Sequence, residues 1–305
     1  MTDIQKRILA EVADLHAVPE GAYNIRSDGE SAGRRSTAHI EITSKKDVSG
    51  IDIRIAPGTK HESVHIPVVL SKTGHQETVY NDFFIGEDSD VLIVAGCGIH
   101  NCGGQDSRHD GVHRFYVGKN ARVRYVEKHY GEGDGQGRRI MNPGTEVYLE
   151  EGSSMEMEMV QIRGVDSTER STKAELAAGA RLLVKERLMT HGSQRADSVY
   201  RVSLNGPGSS ADVVSRSVAR DDSYQRFDAC LTGNAPCHGH TECDSIIMDR
   251  GRILAVPQLE AKCTDAELIH EAAIGKIAGE QLIKLMTLGL TEAEAEEQII
   301  NGFLK

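Results

Sequence analysis

The sequence predicts a mainly β chain wound into a stacked parallel β-helix, with helices only at its ends. Three features carry this. Met155, Met157 and Met159 alternate with Glu156 and Glu158, the period-two signature of a strand with one buried face. A Gly followed by small or polar residues leads into an apolar strand at Gly86→Val91, Gly118→Val123, Gly152→Met155, Gly179→Leu182 and Gly208→Val213, with strand starts 32, 32, 27 and 31 residues apart. Such a period suggests coils that bury their inner faces only against neighbouring coils. No long helical segment separates the strands, which argues against a βαβ sheet. An ordinary β-sandwich is the alternative left open by the imperfect repeat.

Along the chain, residues 1–38 form an N-terminal unit. Ile4, Ile8, Leu9, Val12 and Leu15 recur at helical spacing among Lys6, Arg7, Glu11 and Asp14, so residues 1–20 read as an amphipathic helix rather than a signal peptide. The Gly/Ser-rich stretch 21–36 reads as a loop. Residues 39–255 form the β-helix core, with β-rich runs at Ile51–Ile55, Val64–Leu70, Val91–Val94, Val123–Val126 and Leu182–Val184 bounded by Gly, Asp, Asn or Ser. Residues 256–305 read as a helical unit. Thr264-x-x-Glu267 is a capping box opening a helix through Leu268, Ile269, Ala272, Ala273, Ile277, Leu282, Leu285 and Met286, which Gly289 ends. Thr291-x-x-Glu294 opens a second, shorter helix through Ile299 and Ile300.

Composition narrows the function. The chain has 305 residues, no Trp and 4% aromatics, so binding by stacked aromatic platforms is poorly supported. Net charge is −11 and the densest basic runs are the isolated pairs Arg34–Arg35 and Arg138–Arg139, so nucleic acid is not an expected partner. No apolar run approaches membrane-spanning length, and a cytoplasmic location is expected. There, Cys97, Cys102, Cys230, Cys237, Cys243 and Cys263 are reduced thiols available for metal, sulfur or redox chemistry, or simply buried.

Three clusters could carry chemistry. Cys97-Gly-Ile-His100-Asn-Cys102 is followed by His109 and His113, soft and borderline ligands of the kind zinc takes. The Cys-x4-Cys spacing is not a standard zinc pair, and such residues also stack inside solenoids. In Cys237-His238-Gly239-His240-x-x-Cys243, an ideal strand places the two Cys on one face and the two His on the other, and only a turn at Gly239 would gather all four. Glu267-x-x-His270-Glu271 would share one face of the expected helix, where the plainer reading is a solvated surface. No G-x-x-x-x-G-K-[ST] phosphate loop is present, so the chain should not hydrolyse ATP itself.

Several stretches together carry a resemblance. Gly239-His-Thr-Glu-Cys243-Asp-Ser, Pro257-Gln-Leu-Glu260-Ala, His270-Glu271-Ala-Ala-Ile-Gly-Lys-Ile and Gly302-Phe303 resemble the C-terminal signature of the SufB and SufD iron–sulfur cluster assembly proteins. Ser215-Arg-Ser-Val-Ala, Ser223-Tyr-Gln225, Gly98-Ile-His100-Asn and His109-Asp-Gly-Val-His113 fit the same pattern. The resemblance implies a right-handed parallel β-helix, a scaffold role without catalytic turnover, and a complex with a SufC-like ABC-type ATPase docked on the C-terminal helices. It implies that Cys243 and Glu271 hold a transient iron–sulfur cluster, as in SufB-like members, and that His270 contributes as in SufD-like ones. Carrying all three, the chain is closer to SufB or to a compact single-scaffold form that pairs with itself or with a SufD-like paralogue. Its N-terminal region is shorter than in long SufB forms, which puts functions located there in doubt. Sulfur would come from a cysteine desulfurase as a persulfide, with Cys97, Cys102, Cys230 and Cys237 as undecided acceptors. A flavin is compatible with the resemblance but unsupported by the residues. Cys97, Cys102, His100, His109, His113, Cys237 and His240 are further sulfur or metal candidates. The competing readings are a zinc-dependent β-solenoid enzyme and a structural SufD-like subunit.

Overall fold

The alternation in the sequence becomes the wall of a tube. Met155, Met157 and Met159 are buried while Glu156 and Glu158 face outward. The computed structural model describes every residue except 14 and 16–18, and it is a β-solenoid of about eight turns with three helices. Each turn gives one strand to each of two facing sheets. The first sheet runs through Ala22–Ser27, Lys60–Leu70, Asp90–His100, Arg122–Glu132, Ser154–Arg163, Arg181–Thr190, Ser209–Ala219, Cys237–Ile247 and Ala266–Gly275, all parallel. The second runs from Ile40–Ser44 through Gln76–Ile85, Ser107–Val117, Ser167–Leu176, Arg195–Leu204 and Tyr224–Gly233 to Arg252–Ala261. The core lies between the sheets.

The register reproduces the sequence repeat. Val91, Val123, Met155 and Leu182 sit on one another. The next residue in that column is Ala211, two before the expected Val213, which instead stacks on Val184. The column continues through Gly239 to Leu268.

Two local expectations are corrected. Residues 21–36 are not a loop: Ala22–Ser27 and Glu30–Arg35 form an antiparallel hairpin about an Asp28–Gly29 turn, both with positive φ, and the hairpin extends the first sheet. The helix expected from the Thr264 box starts later than that box, at Gly279, and only its Leu282–Met286 part is helical. Ala266–Gly275 is a strand, because pairing with Cys237–Ile247 satisfies its backbone groups and places Ala266 and Leu268 against the core. Tertiary pairing outweighs a local capping signal worth about 1 kcal/mol.

Both ends carry helices on the outside of the first sheet. Helix α1 (Asp3–Ala13) is shorter than the expected 1–20, and Asp14 lies outside the described residues. It packs Ile8 and Val12 onto Gly96 and Gly98; a Cβ at Gly98 would lie 2.0 Å from Ile8 Cγ2, so this contact requires glycine. Helix α3 (Glu292–Phe303) opens with the expected Thr291–Glu294 capping box and packs Ile300, with Leu304, on Val218. Between them, α2 (Gly279–Thr287) buries no residue, and Gly289 follows it in the left-handed region.

A charged group crosses the interior. Arg170, from the second sheet, pairs with Glu127 of the first and lies 3.7 Å from Glu186. Glu186 also accepts from Ser198, Tyr200 and Ser215 at 2.6–2.9 Å. Burial alone would push the Glu127 carboxyl up, but the Arg170 guanidinium together with His129 and His113 outweighs it and holds it well below the ordinary range. Arg170→Ala would leave two buried carboxylates unpaired and should cost about 3–5 kcal/mol. Urea unfolding monitored by circular dichroism reads this, and a loss below about 1 kcal/mol would show that the crossing is dispensable.

Candidate functional site

The last two strands of the first sheet hold half of the candidate ligands singled out above: Cys237, His240, Cys243, His270 and Glu271. The Cys237–Ile247 strand is continuous through Gly239, so its faces alternate without a turn. Cys237, Thr241 and Cys243 point inward, while His238, His240 and Glu242 point outward. The two Cys and two His therefore do not converge on one ion.

The neighbouring strand inherits these faces. Thr241 is paired with His270, Glu242 with Glu271, and Cys243 with Ala272. His270 thus lies on the inner face beside Cys243, and Glu271 lies on the outer face. The single helical surface expected for Glu267, His270 and Glu271 does not exist, because a strand turns consecutive side chains to opposite sides.

On the inner face, Cys243 is 1% exposed, with Sγ 3.7 Å from Ser245 Oγ. Burial pushes its thiol up, only partly offset by Ser245, so it is protonated near neutrality. His270 Nδ1 lies 2.7 Å from Thr241 Oγ1, and burial lowers its pKa, favouring the neutral imidazole. Among the described residues no further strand pairs beyond Ala266–Gly275, and its inward Ala272 and Ile274 are exposed. The thiol is thus one coil below the open end of the tube.

On the outer face, one ligand atom each from His240, Glu242 and Glu271 lies within 4.8 Å of the others. His240 Nδ1 is 2.9 Å from Asp212 Oδ1, and its Nε2 is 3.7 Å from Glu271 Oε2. Donation from Nδ1 to Asp212 turns the Nε2 lone pair toward the carboxylates, the arrangement by which an outer carboxylate orients a ligating imidazole. Glu242 and Glu271 stand directly opposite in register, where like charges repel and a cation between them would relieve the repulsion. Burial, then Asp244, raises the Glu242 carboxyl. Such an N/O set suits a divalent ion such as ferrous iron. Glu242 and Asp212 were not singled out in the sequence. The available signal was the alternation His240-x-Glu242 combined with one repeat, which leads from Glu242 to Glu271.

The upstream cluster is also divided. Cys97 points inward among Val68, Leu70, Ile99 and Met141. It lines a narrow internal cavity with His109, His113, Glu127 and His129. His109 Nδ1 is 3.1 Å from Glu77 Oε1, and His113 Nδ1 is 2.8 Å from Tyr125 Oη, which donates to Glu127 at 3.0 Å. Burial, then the charges of Glu77 and Glu127, pushes the Cys97 thiol well up. His100 instead ends its strand facing outward, and Cys102 follows it at the surface, Sγ 3.0 Å from His100 Nε2. The four ligands of the zinc reading are therefore not gathered. All six cysteines are free thiols. Away from these groups, a cleft of about 610 Å³ lies beside a stacked ladder of Phe84, Tyr116 and Tyr148 and contains none of the candidate sulfur or metal ligands.

Comparison with known proteins bears on what this arrangement serves. A family model described as "SUF system FeS cluster assembly, SufBD core domain" matches residues 71–303. An iron–sulfur cluster assembly SufBD family protein of Archaeoglobus fulgidus is 31% identical, covering 85% of this chain and 69% of its own. A counterpart from Methanothermobacter thermautotrophicus (strain Delta H) is 32% identical, over 85% of this chain and 63% of its own. One from Pyrococcus horikoshii is 27% identical over 92% and 86%. The chain thus spans about two-thirds of the length of the first two relatives. No helix among the described residues is long and apolar enough to cross a membrane.

The internal cavity has a pH signature. Burial lowers the His113 pKa to about 4, against about 6.5 in an unfolded chain. Between these values the unfolded chain binds a proton that the folded chain refuses, so stability falls as pH drops through that window. His113→Gln should remove about 1–3 kcal/mol of the stability lost between about pH 6.5 and 4. Urea midpoints across that range measure it, and equal pH slopes in both proteins would contradict it.

Proposed function

Since the chain belongs to the SufBD core family of SUF-system iron–sulfur cluster assembly proteins, we propose that it is a scaffold on which nascent clusters are built at the open C-terminal end of the solenoid. The observation that carries this reading is the register of the last two strands of the first sheet. It sets Cys243 and His270 on one face and Glu271, with His240 and Glu242, on the other. Iron and sulfide are the cargo. Clusters prefer thiolate ligands, and imidazole and carboxylate hold iron less tightly. A mixed set therefore favours release over permanent storage. The Cys243 thiol must lose its proton to bind iron, so assembly at this position releases a proton.

One chain supplies a single thiolate here, too few for a stable cluster. The terminal strands Arg252–Ala261 and Ala266–Gly275 are sheet edges with exposed Leu254, Leu259, Ile269 and Ile274. Open apolar edges favour pairing with a like surface. A second copy, or a SufD-like paralogue, seated there would double the ligands around one interface. Helix α2 exposes Ile283 and Met286, and its C-cap Leu288 is 76% exposed. We assign this surface to a SufC-like ATPase that supplies the nucleotide chemistry for which the chain has no phosphate loop. A cysteine desulfurase is the sulfur source, in the cytosol where these thiols stay reduced.

Cys243→Ala and Glu271→Ala should each abolish retention of iron and acid-labile sulfide after anaerobic reconstitution while leaving the melting temperature near that of the parent. His270→Ala should weaken retention. Full reconstitution on Cys243→Ala would overturn the assignment of the site. Separately, Ile283→Glu combined with Leu288→Glu should abolish co-purification with the ATPase without unfolding the chain, since neither side chain is buried. Undiminished binding would remove α2 from the interface.

A further inference from the structure

Two thiols meet at the corner of the tube where its last two coils turn. Cys237 opens the Cys237–Ile247 strand and is buried, and Cys263 lies half-buried in the turn that leads into Ala266–Gly275. The two turns are stacked: Lys262 N donates to Gly233 O at 2.8 Å, and Ala266 sits on Cys237 in register. Earlier coils show where a side chain at the Cys237 position goes. His238 stacks through Ser210 and Arg181 on Ser154, so Cys237 takes the place that Ser153 has in its own coil. Ser153 Oγ bends back to donate to Glu150 O at 2.7 Å, and Thr59 Oγ1, in the same column, donates to Ala56 O at 2.6 Å. The Cys237 thiol bends back likewise. A Cβ at Gly233 would lie 3.0 Å from its Sγ, and the backbone of Ala235 hydrogen-bonds it. In the next coil, Cys263 O accepts from Ala266 N at 3.2 Å, as Glu150 O accepts from Ser153 N at 3.1 Å. Cys263 therefore stands at the corner toward which Cys237 bends, one coil above it. Burial pushes the Cys237 thiol up, and a charge on Cys263 pushes it further, as neighbouring sulfurs do.

We propose that Cys237 and Cys263 are a redox modification site, which closes to a disulfide when a hydroperoxide reaches the open end of the solenoid. Cys263, the more exposed of the two, reacts first. Its thiolate attacks the outer oxygen of R–O–OH, the O–O bond breaks, and the departing alkoxide takes up the proton that Cys263 released. The Cys237 sulfur then attacks the sulfur of Cys263–S–OH. The S–S bond forms, the S–O bond breaks, and hydroxide leaves with the Cys237 proton as water. The two thiols together give up two electrons, and the hydroperoxide is reduced to an alcohol and water. Cys97 and Cys243 have no such neighbour: the first is sealed among apolar side chains, and the second meets Ser245. The link has a structural consequence. Ala266–Gly275 is an edge strand held by a single ladder. A disulfide at the turn that starts it ties it to the coil beneath, and so holds His270 and Glu271 in register with Thr241 and Glu242. The proposal rests on the assembly reading only for what this coil carries.

The test uses the full chain, reduced and free of iron. Equimolar cumene hydroperoxide, followed by N-ethylmaleimide and non-reducing peptide mass spectrometry, should join the Cys237 and Cys263 peptides as the predominant disulfide. Bridging requires Cα atoms within about 7 Å, so the yield reads the geometry directly. Cys263→Ser should abolish the link, and Cys237→Ser should leave Cys263 as a sulfenic acid that dimedone traps. Hydrogen exchange of the Ala266–Gly275 amides should slow at least about tenfold on oxidation of the parent and not at all in Cys263→Ser. A predominant link between any other pair, a Cys263 sulfenic acid in the parent that does not go on to the link, or unchanged exchange in the linked parent would overturn the proposal. None of these readouts involves iron, so they stand apart from reconstitution on Cys243→Ala, by which the assembly reading is judged.

Discussion

Everything in this molecule depends on parallel, in-register stacking of one coil on the next. A residue's neighbour across the ladder is one repeat away, and its face is inherited from that neighbour. The column Val91, Val123, Met155, Leu182 and Ala211 is the apolar expression of this rule. Inside a tube the same rule is demanding for polar groups, since an inward charge can be answered only by another inward residue. Arg170, reaching from one sheet to Glu127 and toward Glu186 on the other, is such an answer. The hydroxyls of Tyr125, Ser198, Tyr200 and Ser215 complete it. A buried ion pair of this kind is weak evidence for net stability, but its members cannot be removed singly without leaving a desolvated charge.

Inheritance of faces also shapes the chemistry. Cys243 and His270 share the shielded interior near the open end, where low polarity keeps the thiol protonated and the imidazole neutral. Glu271 stands one pleat away on the outer wall beside His240 and Glu242. Soft and hard ligands are therefore presented to different environments by adjacent residues of the same strands. Under the scaffold role proposed above, this separation avoids a closed cage of strong ligands.

The helices serve the solenoid unequally. Helix α1 closes over the glycine stripe at Gly96 and Gly98 and delivers Arg7 to Glu132, so it both covers the sheet and pins that carboxylate at the strand's end. Helix α3 is anchored on Val218. Helix α2, held between α3 and the last strand, has an apolar side that the chain itself does not cover.

The coil was legible in the sequence because it follows from local rules. Alternation at Met155–Met159 and the recurrence near thirty residues identify inward positions and stacking partners without reference to anything distant. The Thr291–Glu294 cap was legible for the same reason, being closed within one turn of helix. What the sequence could not settle is which local tendency gives way to pairing. Thr264-x-x-Glu267 has the grammar of a helix start, yet an unpaired ladder beside Cys237–Ile247 claims Ala266–Gly275. That choice alone moves His270 inward and leaves Glu271 outside. Likewise Cys97 and Cys102 are close in sequence, but the end of a strand falls between them, so one thiol is sealed in the core and the other meets an imidazole at the surface. Residue types and spacing determined the coil and the supply of ligands. Only the tertiary register decided which ligands meet, because in a parallel solenoid contact is set by the neighbouring coil and facing by a parity that a single shifted residue reverses.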